Sequence, residues 1–201
     1  MYPSQTIKAL TGIRRCGKST LLELFRSWLL ENGVEPGQIQ AINFEDASYA
    51  DLTDYRALHD HILKNCRSGA MNYIFLDEVQ NVKDFQKMAD SLFIRKNIDL
   101  YITGSNACLL SGELATLLSG RYVEIHLLPL SFKEYLSALG DRRDLPQKYR
   151  SYVTGSSFPY TLKLNGDAEQ IRDYLGGIYH TIVLKDVVER KKYPPPPRWN
   201  G

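Results

Sequence analysis

Apolar positions along this chain alternate between two spacings, and the alternation predicts strands separated by helices. Residues 6 to 11 (Thr-Ile-Lys-Ala-Leu-Thr) read as a short strand. Leu21, Leu24, Phe25, Trp28 and Leu29 then share one helical face until Asn32-Gly33 closes the helix. A second strand is expected over 39 to 44 (Ile-Gln-Ala-Ile-Asn-Phe). From about Thr53 a helix carries Tyr55, Leu58, Ile62, Leu63 and Cys66 at helical period and stops at Gly69. Tyr73-Ile74-Phe75-Leu76 is apolar without a break, as in a strand covered on both faces. Phe85, Met88, Ala89, Leu92 and Phe93 mark a helix over 84 to 93, and 99 to 103 (Asp-Leu-Tyr-Ile-Thr) a further strand. After a helix around Glu113 to Leu118, the alternating run Tyr122 to Leu127 predicts a strand with one polar face.

The remainder is less regular. Ser131-Phe-Lys-Glu134 is a capping box that starts a helix running through Leu136. Gly140 to Leu145 is charged and loop-like, and Ser151 to Pro159 is rich in small polar residues. Asp167 opens a helix with Ile171, Tyr174, Leu175 and Ile178 on one side, and 181 to 190 either extends it or forms another. Pro194 to Pro197 ends regular structure.

Between the first strand and first helix lies Gly12-Ile-Arg-Arg-Cys-Gly-Lys-Ser-Thr20, which fits G-x-x-x-x-G-K-[ST] at every specified position. Strand, glycine loop, helix is the context that this phosphate-binding pattern requires. Gly12 and Gly17 let the backbone turn successive N–H groups toward one anion. Lys18 is placed to reach the β- and γ-phosphates, Ser19 to offer an oxygen to Mg2+, and Thr20 to touch the α-phosphate. Arg14, Arg15 and Cys16 fill the variable positions of the cradle, where most side chains point away from the phosphates.

The apolar run 73 to 76 ends in Asp77-Glu78, a Walker B pattern. A carboxylate at that strand tip supports the metal, so Asp77 joins Ser19 as a metal-side residue, and Glu78 is the candidate base for the attacking water. Ser105 and Asn106, after the 99 to 103 strand, are candidates for sensing the γ-phosphate, with capping of the next helix as the plain alternative. Arg121 is the candidate arginine finger, in cis or from a neighbouring subunit.

Composition narrows the rest. The 201 residues suit one domain, or one and a fragment, and a net charge of +2 with mixed signs argues for neither nucleic acid nor membrane. Three cysteines without a CxxC pair suit a reducing, cytoplasmic setting. No apolar run reaches the length of a membrane span, no signal-peptide pattern opens the chain, and the four histidines lack metal-ligand spacing.

Five strings carry a resemblance: Leu10 to Thr20, Ile42 to Asp46 (Ile-Asn-Phe-Glu-Asp), Ile74 to Gln80 (Ile-Phe-Leu-Asp-Glu-Val-Gln), Tyr101 to Asn106 (Tyr-Ile-Thr-Gly-Ser-Asn) and Gly120 to Tyr135. Together the chain resembles bacterial and archaeal AAA-like ATPases in which an AAA domain precedes a C-terminal domain of unknown function. The resemblance implies a three-layer α/β P-loop fold with a five-stranded parallel sheet in the order 5-1-4-3-2. It assigns residues 1–137 to the ATPase domain and 138–201 to a partial, mostly helical C-terminal region. It also implies hydrolysis of ATP with Mg2+ to drive a conformational switch or effector, with a homo-oligomer and a protein or DNA partner left open. Relatives of this kind carry residues ahead of the first strand and continue beyond Glu189, so both ends read as truncated. A non-hydrolysing nucleotide-binding scaffold is the main rival. A phosphotransferase lacks its lid of clustered arginines here, and a GTPase its Asn-Lys-x-Asp motif.

Overall fold

Strands whose residues are apolar in succession have no face to give to water, and they settle in the middle of a parallel sheet covered on both sides. In the computed structural model, which describes residues 6–104, 118, 120–164 and 166–190 (the last ten as backbone only), three of five strands do so, and the other two form the sheet edges. The five are β1 (Ile7–Gly12), β2 (Ile39–Asn43), β3 (Asn72–Asp77), β4 (Ile98–Thr103) and β5 (Tyr122–Leu127). Their order is β2-β3-β4-β1-β5, every neighbouring pair is parallel, and the expected order 5-1-4-3-2 is this one read from the other edge.

The chain divides into two compact units, Met1–Ile13 with Gly17–Leu128, and Arg14–Cys16 with Pro129–Gly201. In the first, α1 (Lys18–Glu31) follows β1, α2 (Tyr55–Lys64) precedes β3, and α3 (Phe85–Phe93) precedes β4. Alternation along β1 sends Ile7 and Ala9 to one face, where Leu58 and Ile62 of α2 and Met88 and Leu92 of α3 form the larger core. Leu10 points the other way, to the core it shares with Leu22, Leu29 and Phe75 under α1. Each such fully buried side chain contributes roughly 1.5–3 kcal/mol, so the two helical layers clamp the sheet from both sides. Asp54 caps α2 by accepting from the backbone N–H of Arg56 at 2.9 Å, which fixes where that layer begins.

On the α1 face Lys8 pairs with Asp99, both side chains almost wholly buried, and the Tyr101 hydroxyl donates to the same carboxylate at 2.9 Å. Burial first, and then the neighbouring Asp99 charge, pushes the Tyr101 hydroxyl well above the usual phenol range.

In the second unit α4 (Phe132–Leu139) starts at the expected capping box, with Ser131 N–H donating to Glu134 Oε2 at 2.7 Å and Glu134 N–H to Ser131 Oγ at 3.3 Å. A helix that the polar composition hid, α5 (Leu145–Gly155), follows. Phe132 lies 5.2 Å from Tyr149 and 5.5 Å from Tyr152 between ring centroids, so aromatic packing across α4 and α5 supplies what periodicity did not announce. The Tyr152 hydroxyl donates to the Leu130 carbonyl at 2.8 Å. The run beyond Asp167 is one helix, α6 (Ala168–Arg190), which resolves the alternative left open for 181–190.

Candidate functional site

The loop between β1 and α1 has the backbone that its glycines predict. Gly12 stands at φ 148° and Gly17 at φ 106°, values that side chains resist, and Gly17 caps α1 without any side-chain acceptor. The first turn of α1 therefore keeps N–H groups and a positive dipole end for an outside anion. Lys18, buried at 5% exposure, folds back so that Nζ donates to the Gly12 carbonyl at 3.2 Å and the Ile13 carbonyl at 3.3 Å. Among the described residues it has no ion-pair partner, only these neutral carbonyls, which is the electrostatic condition for holding phosphate. Ser19 and Thr20 are exposed on the first turn.

Of the other loop residues, Arg14 is half-buried, Arg15 adopts a left-handed φ of 64°, and Cys16 is buried. The Arg15 guanidinium lies over the Tyr174 ring, 5.6 Å from its centroid. Just before the loop, the Thr11 hydroxyl donates to Glu124 Oε1 at 2.6 Å and contacts His126 Nδ1 at 2.9 Å. That contact ties β1 to β5 where the chain leaves the sheet.

Asp77 ends β3 at 8% exposure, and Glu78 follows in the left-handed region at φ 55°, ψ 47°. The Glu78 side chain accepts from Gln80 Nε2. Thr103, the last residue of β4 and fully buried, donates its hydroxyl proton to Asp77 Oδ1 and accepts the Glu78 backbone N–H at 3.1 Å. Sequence reading passed over Thr103 as an ordinary strand end. The signal that finds it is register: Leu76 faces Ile102, so the next residues, Asp77 and Thr103, stand side by side.

Ser19 and Asp77 line one cavity of about 220 Å³, together with Glu23, Arg26, Asn43 and Asp46. Arg26 Nε is buried there without a hydrogen-bond partner among the described residues. Arg26 was also missed, although it lies on α1 two turns after Ser19. A hydroxyl and a carboxylate are hard oxygen donors, and Mg2+ takes few protein ligands, keeping waters and phosphates for the rest. No group of three or more His, Cys, Asp or Glu gathers among the described residues as an all-protein cage would. The donor set present fits Mg2+ bound with a nucleotide. A larger cavity of about 860 Å³, lined by Phe25, Trp28, Tyr73, Tyr101, Lys8 and Asp99, includes neither Ser19 nor Asp77.

Arg121 requires a correction. It immediately precedes β5, and Tyr122 at the start of β5 faces Ile7, so Arg121 sits at the amino edge of a sheet whose carboxyl edge carries Gly12. Six residues of strand separate the edges, about 20 Å at strand rise. Arg121 pairs there with Asp90 of α3, its guanidinium 5.5 Å from the Phe93 ring centroid. A finger acting within the chain is excluded by that distance. Ser105 and Asn106 lie outside the described residues.

A family model described as "AAA domain" matches residues 4–136. An uncharacterized protein of Haemophilus influenzae is 40% identical over 188 residues, covering 92% of this chain and 46% of its own length. One from Methanocaldococcus jannaschii is 28% identical, covering 92% and 42%. The chain thus spans less than half of these curated relatives. Among solved structures, the Aeropyrum pernix Orc1 protein in complex with DNA matches with 14% identity and a TM-score of 0.48, over 94% of this chain and 63% of that one.

Proposed function

We propose, from the premise that this chain belongs to the AAA domain family, that it binds ATP with Mg2+ and hydrolyses it to ADP and phosphate, driving a conformational switch. The coarser part, an ATPase-like nucleotide-binding domain, comes with the family itself. The observation that carries the finer part is the cavity in which Ser19 of α1 and Asp77 of β3, fifty-eight positions apart in sequence, meet beside the loop. The residues of an assembled site are supported by that meeting. A domain limit near residue 137 and a cytoplasmic setting belong to the same reading.

Lys18 holds the negative charge of the β- and γ-phosphates, and the first-turn N–H groups of α1 add their dipole. Ser19 and Asp77 would hold the metal, which when bound with ATP neutralises charge developing on the transferred phosphoryl group. Glu78 takes a proton from water at its carboxylate. Thr20 contacts the α-phosphate, Gly12 to Gly17 shape the cradle, and Ser105 or Asn106 reads the γ-phosphate. Arg121 retains a role only as a finger offered to a second molecule. The chemistry favours water as nucleophile because an acid stands at the β3 tip.

The test is ATP turnover with Mg2+ in the parent and in Glu78→Gln, alongside equilibrium ATP binding. Expected is measurable hydrolysis in the parent and a fall of about 100- to 10,000-fold in the variant, with binding kept. Tight binding without hydrolysis in the parent would favour a nucleotide-gated scaffold, and absence of binding would overturn the proposal.

A further inference from the structure

We propose that Thr103 is a positioning residue for this hydrolysis, holding the Asp77 carboxylate in the cavity it shares with Ser19 and pinning the left-handed turn that presents Glu78. The inference rests on the ATPase reading and names a residue that reading does not use. A threonine hydroxyl has one proton and two lone pairs, and here both functions point at the acid pair. The proton goes to Asp77 Oδ1, and a lone pair receives the Glu78 N–H at 3.1 Å. Thr103 has no exposed surface and Asp77 8%, so little water competes for either bond.

Each bond answers a separate need. A carboxylate at a strand tip can rotate about its side-chain torsions. Occupying Oδ1 from the neighbouring strand leaves one face of Asp77 for a metal, as outer-shell partners do for ligating carboxylates elsewhere. Glu78, for its part, stands where a residue with a Cβ persists only if its surroundings over-determine it. The hydrogen bond from its N–H to the next strand is such a constraint. One hydroxyl therefore couples the metal-side acid to the water-side acid, and replacing it by a methyl group frees both.

A merely structural threonine would move stability and nothing else, so the readout is metal dependence. Thr103→Val and Thr103→Ser are compared with the parent for the Mg2+ concentration that gives half of the thermal stabilisation by a non-hydrolysable ATP analogue. kcat and KM for ATP are measured alongside. Thr103→Val is expected to raise the Mg2+ midpoint about 10-fold and to lower kcat about 10- to 100-fold, with KM changed less than about threefold. Thr103→Ser, which keeps the hydroxyl, is expected within about threefold of the parent throughout. In an Asp77→Asn background Thr103→Val should add no further shift in midpoint. Should Thr103→Val fail to fold, Thr103→Ala takes its place. A parental midpoint and kcat in the hydroxyl-free variant overturn the proposal. A parent that binds the analogue with Mg2+ but does not turn over ATP sinks the hydrolysis reading and leaves the midpoint comparison standing. A parent whose analogue binding ignores Mg2+ overturns both.

Discussion

At the scale of single residues, the backbone at Glu78 is where local comfort has been given up. A left-handed residue with a side chain costs on the order of 1–2 kcal/mol relative to the right-handed form, and glycine does not bear that cost. Glu78→Gly is therefore expected to raise unfolding free energy by about 1 kcal/mol in urea denaturation while abolishing the proposed water activation. Glu78→Gln, which keeps the Cβ, is expected to leave stability near the parent. Opposite movements of stability and turnover in one position would mark strain kept for function; a destabilised Glu78→Gly would show that the Gln80 contact outweighs the backbone term. Arg121 teaches the complementary lesson. Its placement was legible from strand direction alone, since a residue entering a parallel strand stands at the edge opposite to the loop that leaves β1.

At the scale of elements, five strands and the first three helices were readable because each has a single dominant period, as in the 85, 88, 89, 92 stripe of α3. The turn at Gly12 and Gly17 and the place of Asp77 at the end of β3 were readable because their pattern is contiguous. The order of strands came from family resemblance, since periodicity does not encode which strand lies beside which. Thr103 required that order and the register, and α5 was hidden because the side chains it packs against Phe132 are tyrosines, which polarity patterns count poorly. The start of α4 offers a pH test. Hydrogen bonds from Ser131, side chain first and backbone second, hold the Glu134 carboxyl below the ordinary glutamate value. Its contribution is thus fully present above the unfolded value and is lost as pH falls through the lower folded one. The Ser131 amide resonance should titrate with a midpoint below that of a free glutamate, and Glu134→Gln should flatten the curve. A midpoint at the free value would mean that the capping box does not persist in solution.

At the scale of the whole molecule, Lys8 and Asp99 form a buried ion pair in the sheet that carries the loop. Lys8→Met removes the cation beside Asp99, leaves the Tyr101 hydroxyl as its donor among the described residues, and is expected to cost about 3–5 kcal/mol in chemical denaturation. Lys8→Met with Asp99→Leu should recover most of that loss. An inexpensive single variant would show that water reaches Asp99. The pair also bears on how the strands find one another. If β1 slid by one position along β4, Lys8 would turn toward Met88 and Leu92 on the opposite side, and a lone carboxylate would remain against Tyr101. Interchangeable aliphatic runs tolerate several near-equal offsets, whereas this strand has one that neutralises both charges. That offset brings Leu10 level with Thr103 and delivers Gly12 to its place two residues on. An ion pair at the amino end thus works as an alignment key for a cradle at the other.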